Sequence, residues 1–185
     1  MTDAELRAAL VEHAYLEGDF ILRSGARSSY YLDKYRFETR PELLEALGAR
    51  IAAAVAEVDP GATRLAGPEL GAVALMAAAS LESRLPFVIV RKQAKSYGTA
   101  RRIEGELEPG ERVCIVEDVV TSGGGALEAV AALREAGLEC GAAVCVVDRQ
   151  EGGSETLARH EVDLRPLFLS SELVPMGETA AKPHD

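Results

Sequence analysis

The spacing of apolar positions changes twice along this chain. Over residues 3 to 15, Leu6, Ala9, Leu10 and His13 recur at helical intervals before a break at Gly18, which predicts an amphipathic N-terminal helix. From Phe20 to Lys34 the period shortens. The string FILRSGARSSYYLDK sets two aromatic and β-branched runs around a Ser-Gly-Ala-Arg turn, the pattern of a β-hairpin. Pro41 then opens a helix through Val58, at the first helical position that proline tolerates. Beyond it strands and helices alternate. TRLAG at 63 to 67 precedes an Ala-rich helix at 71 to 82, and PFVIV at 86 to 90 precedes a long polar loop. RVCIVEDVV at 112 to 120 precedes a helix at 124 to 136, and two more strands lie at 141 to 148 and 165 to 169. Short, continuously apolar strands separated by helices predict an α/β domain with a central parallel sheet covered on both faces. The pattern shows no internal repeat and no linker. A single domain over 1–185 is expected, with residues 1–40 as helix and hairpin and 60–170 as the α/β core. The last ten residues, from Met176, are polar and expected to fray.

Composition narrows the function more than the fold. A chain of 185 residues with 48% hydrophobic content can build one sizeable core. The formal net charge of −10 argues against coating nucleic acid or an anionic membrane, so neither is expected as a partner. The N-terminus lacks the apolar stretch of a secretory signal, and no apolar run approaches the length of a membrane span, which makes a cytoplasmic location the expectation. Cys114, Cys140 and Cys145 make an odd count without CxxC spacing and are read as buried, reduced thiols. His13, His160 and His184 are scattered, so no metal site built from protein ligands alone is expected.

The segment richest in chemistry is VCIVEDVVTSGGG, Val113 to Gly125: an apolar strand, two adjacent acids at its carboxyl end, then glycines opening a helix. Ligands of an open parallel sheet bind beyond the carboxyl ends of its strands. There the glycines let backbone N–H groups close on an anion, and the helix directs its positive end at it. Thr121 to Gly125 reads as a monophosphate cradle, with Glu117 and Asp118 placed to accept from ribose hydroxyls. The same string also fits an ordinary buried strand with a solvated acidic end. Two carboxylates ending a core strand are costly unless something uses them. GxxxxGK[ST] and a GxGxxG followed by a spaced acid are both missing, so neither common nucleotide fingerprint applies.

IVEDVVTSGG resembles the signature of the type I phosphoribosyltransferases that binds phosphoribosyl pyrophosphate (PRPP). That resemblance implies the type I phosphoribosyltransferase fold with a small N-terminal hood. It also implies PRPP contacts from Glu117, Asp118, Val119, Val120, Thr121, Ser122, Gly123, Gly124 and Gly125. RKQAKSYGTARR, Arg91 to Arg102, carries five of the chain's twenty basic residues and no acid. It reads either as a solvated loop or as a cationic lid over a departing pyrophosphate. With the following Ile103-Glu104-Gly105 it is similar to RKxxKxHGxGxxIEG of the orotate phosphoribosyltransferase family. By that likeness Arg91, Lys92, Lys95 and Tyr97 contact PRPP. Lys92 reaches the neighbouring subunit's site in a homodimer, and Lys95 is the candidate catalytic side chain. Tyr97 stands where many members have a cationic His.

Three further strings agree in order. Gly67-Pro68-Glu69-Leu70-Gly71 resembles the family's GPELGG or GPAYKG turn, with Gly71 replacing the lysine of the second form, so a phosphate contact there falls to main chain. Asp148-Arg149-Gln150-Glu151-Gly152 ends another apolar strand. Arg149 can be half of a pair with Asp148 or a bidentate anchor for a carboxylate. The similarity of VDRQEGG to the orotate branch favours the anchor. FILRSGARSSYYLD resembles the hood hairpin FTLKSGRxSxYYxD, with Arg23 in place of a PRPP-contacting lysine. Tyr31 and Leu32 then line the base pocket beside Thr121 and Arg149. The resemblance implies conversion of orotate and PRPP to orotidine 5′-monophosphate and pyrophosphate, with Mg2+ held mainly by PRPP oxygens and water. A purine phosphoribosyltransferase and an RNA-binding PRPP sensor are the rivals. The orotate-like strings speak against the first and the net charge against the second.

Overall fold

In a computed structural model, which describes residues 1–21, 27–92 and 102–173, the chain forms a six-stranded sheet with helices on both faces and a separate two-stranded hairpin. Helix α1 (Asp3–Ala14) is started by a capping box between Thr2 and Glu5 and buries Leu6, Leu10 and Ala14, one turn apart. The predicted break at Gly18 does not occur. The chain passes from Ala14 straight into β1 (Tyr15–Ile21), because pairing with β2 (Arg27–Leu32) from Tyr15↔Leu32 onward takes up its backbone groups. Gly18 falls inside the irregularity between Glu17 and Phe20, where the register shifts. A single turn, α2 (Tyr35–Glu38), which the pattern did not predict, leads into α3 (Pro41–Val58).

The core runs β3 (Arg64–Pro68), α4 (Gly71–Ser83), β4 (Phe87–Val90), β5 (Ile103–Glu104), β6 (Arg112–Val120), α5 (Gly124–Glu135), β7 (Glu139–Asp148), α6 (Gly153–Ala158), β8 (Asp163–Leu169) and α7 (Ser170–Leu173), the expected alternation with the short elements β5, α6 and α7 added to it. The strand order is β5-β4-β3-β6-β7-β8. All neighbours are parallel except β5, which returns antiparallel beside β4, so the sheet is mostly rather than wholly parallel. A two-residue edge strand inside a basic segment carries too little periodicity to foresee.

Central β6 separates two apolar layers. Cys114 and Val116 pack with α1, α3 and α4, whereas Val113 and Ile115 pack with α5. Alternation carries this difference into the acids, turning Asp118 toward α4 and α2 and Glu117 toward α5. All three cysteines are buried and free, and burial pushes their thiols up, Cys114 to about 12 and Cys140 to about 11. No helix among the described residues is long and apolar enough to cross a membrane. The predicted fraying from Met176 lies outside the described residues.

Candidate functional site

The carboxyl ends of β3, β4 and β6 open into a cavity of about 570 Å³. Arg91, Lys92 and every residue from Glu117 to Gly125 line it, so two separate sequence motifs meet in one space. Arg23, Lys95 and Tyr97 lie outside the described residues.

The cradle is built by backbone. Gly123, at φ 82, caps α5 in the left-handed region, which a side chain rarely adopts. The neighbouring β7–α6 turn packs so closely that a Cβ on Gly153 would come within 2.4 Å of Thr121 O. The amides that open α5 therefore face the cavity from a fixed turn, as an anion requires.

Beside it, Glu117 and Asp118 are nearly excluded from water. Burial, then the neighbouring Asp118 charge, pushes the Glu117 carboxyl up to about 8. Asp118 accepts from the Lys34 ammonium at Oδ2 and from the Val119 amide at Oδ1, the latter at 2.5 Å. Gly71 makes this possible, since a Cβ there would lie 1.5 Å from Asp118 Oδ2. Burial alone would pull the Lys34 ammonium down, but its hydrogen bond and attraction to Asp118 outweigh this and leave it above its ordinary value. Glu38, at the end of α2, is buried against the same group. Desolvation, then the Asp118 charge, raises its carboxyl to about 8.

The basic segment is fastened at its ends. The Arg91 amide donates to Arg102 O at 2.8 Å, and Arg102 Nε donates back to Arg91 O at 3.2 Å. Glu69 ties this base to the β3–α4 turn: its Oε1 accepts from the Lys92 amide at 3.1 Å, and its Oε2 lies 3.6 Å from Arg91 Nη1. The turn read as a main-chain anion site thus also carries an acid that orients the cations. Lys92 is exposed.

The expected base anchors are arranged less simply. Arg149 follows β7, its amide bonded to Val120 O at 2.9 Å and its carbonyl accepting from Ser170 Oγ at 3.1 Å. Its side chain is largely buried, 3.0 Å from Glu151 Oε1 and 5.7 Å over the Tyr30 ring. Its ion-pair partner is therefore Glu151 rather than Asp148, which is occupied in accepting the Gln150 amide at 2.8 Å. Tyr31 lies against Phe20, ring centroids 5.5 Å apart, and Leu32 packs on the main core. Tyr30 takes the place by Arg149 because strand alternation turns it, and not Tyr31, to that face.

Lys34, Glu38, Tyr30 and the side chains of Glu69 and Glu151 stand at the site although no motif in the sequence singles them out. Lys34 had a signal, as the cation ending the hairpin string. Glu38, in a one-turn helix, had none. Among the described residues no group of three or more His, Cys, Asp and Glu side chains could hold a metal ion.

A family model described as the phosphoribosyl transferase domain matches residues 40–162. The orotate phosphoribosyltransferase of Methanocella arvoryzae is 53% identical over 157 residues, 85% of this chain and 88% of that one. That of Halobacterium salinarum is 50% identical over 173 residues, 94% and 97%. The crystal structure of Mycobacterium tuberculosis orotate phosphoribosyltransferase with Fe(III) dicitrate superposes with a TM-score of 0.82 at 31% identity, covering 92% of this chain and 98% of that one. The same enzyme in complex with PRPP gives 0.78 at 28% identity, with the same coverage.

Proposed function

The chain belongs to the orotate phosphoribosyltransferases, and from that membership we propose that it joins orotate to the ribose phosphate of PRPP, forming orotidine 5′-monophosphate and pyrophosphate in pyrimidine biosynthesis. The observation that carries this reading is the single cavity in which the glycine cradle and acidic pair of β6 face the basic start of the 91–102 segment.

On this reading the work is divided among the motifs. The Thr121–Gly125 turn and the amide end of α5 take the 5′-phosphate, and Glu117 and Asp118 accept from the ribose hydroxyls. This fixes C1 between the β4 and β7 ends. Pyrophosphate departs toward Arg91 and Lys92, where positive charge meets the charge that develops on it. Lys95 is the side chain assigned to assist that departure. Orotate approaches from the Arg149 side, its carboxylate replacing Glu151 on the guanidinium and its N1 attacking C1. Arg23 and Tyr97 complete the PRPP contacts, and Thr121, Tyr31 and Leu32 the base contacts. Mg2+ would be held mainly by PRPP oxygens and water beside the carboxylates that line the cavity, and would supply positive charge against the leaving pyrophosphate. The enzyme works as a cytoplasmic homodimer, Lys92 serving the partner's site.

Protein, Mg2+ and PRPP are mixed in turn with orotate, hypoxanthine, adenine and uracil while pyrophosphate is followed. Release with orotate alone is expected, and release with a purine instead overturns the assignment. For the dimer, Lys92→Ala and Arg149→Ala are each inactive, and mixing them restores activity. Half the dimers are hybrids with one intact site of two, so recovery is roughly a quarter of wild type under two-fold symmetry. No recovery after confirmed subunit exchange removes Lys92 from the partner's site.

A further inference from the structure

Two side chains outside the expected machinery converge on one carboxylate. Lys34 and Glu38 stand one helical turn apart across α2, the Glu38 amide bonded to Lys34 O at 3.1 Å, and both act on Asp118. The Lys34 ammonium engages Oδ2 and the Val119 amide engages Oδ1, so both oxygens are held before any sugar arrives. Glu38 is 4% exposed, and its Oε1 is buried with no hydrogen-bond partner among the described residues. An acid so placed beside a buried carboxylate is tolerable only when neutral, and a neutral carboxyl carries a proton that Asp118 can accept.

We propose that Lys34 and Glu38 are positioning residues for the ribose: Lys34 as a cation and Glu38 as a neutral donor hold Asp118 in the orientation that meets the sugar hydroxyls. The inference rests on the reading of Asp118 as a ribose acceptor. Neither residue touches the reacting atoms. A carboxylate has about four acceptor sites, so an anchored Asp118 still has lone pairs for hydroxyls. Without Lys34, its ammonium no longer offsets the mutual repulsion of the Glu38, Glu117 and Asp118 carboxyls, which favours a proton on the group that must accept.

The test is a double-mutant cycle read by calorimetric PRPP affinity in wild type, Lys34→Gln, Asp118→Asn and the double variant. Each single change weakens PRPP about tenfold, and the double is no weaker than Asp118→Asn by more than about twofold. Effects that multiply instead overturn the proposal, because Lys34 then acts other than through Asp118. Two conservative variants keep the test alive should Lys34→Gln fail to fold. Lys34→Arg retains the cation and Glu38→Gln retains a neutral donor, so both keep PRPP affinity within about threefold, whereas Glu38→Ala does not. A Glu38→Gln protein as weak as Glu38→Ala removes the donor role. Orotidine 5′-monophosphate formation by wild type is measured alongside. Its absence defeats the proposed function, whereas its presence with multiplicative effects defeats only the positioning.

Discussion

The carboxyl ends of β6 and β7 lie side by side, Val120 paired with Asp148, yet they hold their charges in opposite ways. At β6 Glu117 and Asp118 are buried beside Glu38, and among the described residues the cation paired with these three acids is the Lys34 ammonium on Asp118, so the acids outnumber it. At β7 the charge is already answered, Arg149 by Glu151 and the Tyr30 face, and Asp148 by a backbone amide. The β6 end is under tension that a ligand relieves. The β7 end must release a partner before it can take one. PRPP and orotate should therefore respond in different ways to changes at the two ends.

The largest break in the comparison comes at Gly71. Its substitution by Ala places a Cβ where Asp118 Oδ2 now sits, 1.5 Å away, and 2.8 Å from Lys34 Nζ. Asp118 must leave its orientation, and PRPP affinity falls by about a hundredfold, the upper end of what overpacking costs. Ala is a better helix former than Gly, so α4 itself does not suffer and circular dichroism stays unchanged. Calorimetry that returns wild-type PRPP affinity would falsify the placement of Asp118.

A pair of changes at β7 gives a smaller effect with opposite signs. Arg149→Lys loses the planar fork that meets a carboxylate and raises the KM for orotate about tenfold, leaving that for PRPP nearly unchanged. Glu151→Gln removes the internal competitor for Arg149. Glu151 is partly exposed and such a pair is worth little, so orotate affinity improves only about two- to threefold. Steady-state kinetics with each substrate varied decides both. Equal shifts in the two KM values, or an orotate site weakened by Glu151→Gln, would place the base elsewhere.

What was legible in the chain divides along the same line. Strands β3, β6 and β7 could be read because burial on both faces leaves continuous apolar runs, and β4 and β8, only partly buried, because short apolar strings still mark them. The β6 motif could be read because strand, acids and glycines are contiguous. The Lys34–Asp118 contact could not, since its partners are 84 positions apart and only the packing of α2 on α4 brings them together. The hairpin was visible but its phase was not. With tyrosines at both 30 and 31, either could face Arg149, and only the pairing with β1 selects Tyr30. Asp148, adjacent in sequence, was the natural partner for Arg149 until the β7–α6 turn brought Glu151 back onto it.

The smallest effect is a matter of pH. Burial holds Glu117 at about 8 in the fold against an ordinary 4.5, and Glu38 is likewise raised to about 8. An acid whose folded value exceeds its unfolded value is protonated in the native state. Its favourable contribution is complete below about pH 4.5 and is lost as pH climbs through about 8. The ligand-free enzyme should therefore melt at progressively lower temperature between pH 5 and 8. Glutamine at position 117 has the shape of the protonated acid and no proton to lose. Glu117→Gln should match wild type near pH 5 and melt higher at pH 8, by about 2–4 °C for each kcal/mol recovered in a protein of this size. Part of the slope remains, because Glu38 still titrates; adding Glu38→Gln flattens it further. PRPP affinity moves the other way, since an amide accepts from ribose hydroxyls less well than a carboxylate. A variant more stable when empty and weaker toward its ligand is what a site strained for binding predicts. Melting curves for wild type and Glu117→Gln that run parallel from pH 5 to 8 would show that the β6 end carries no such strain.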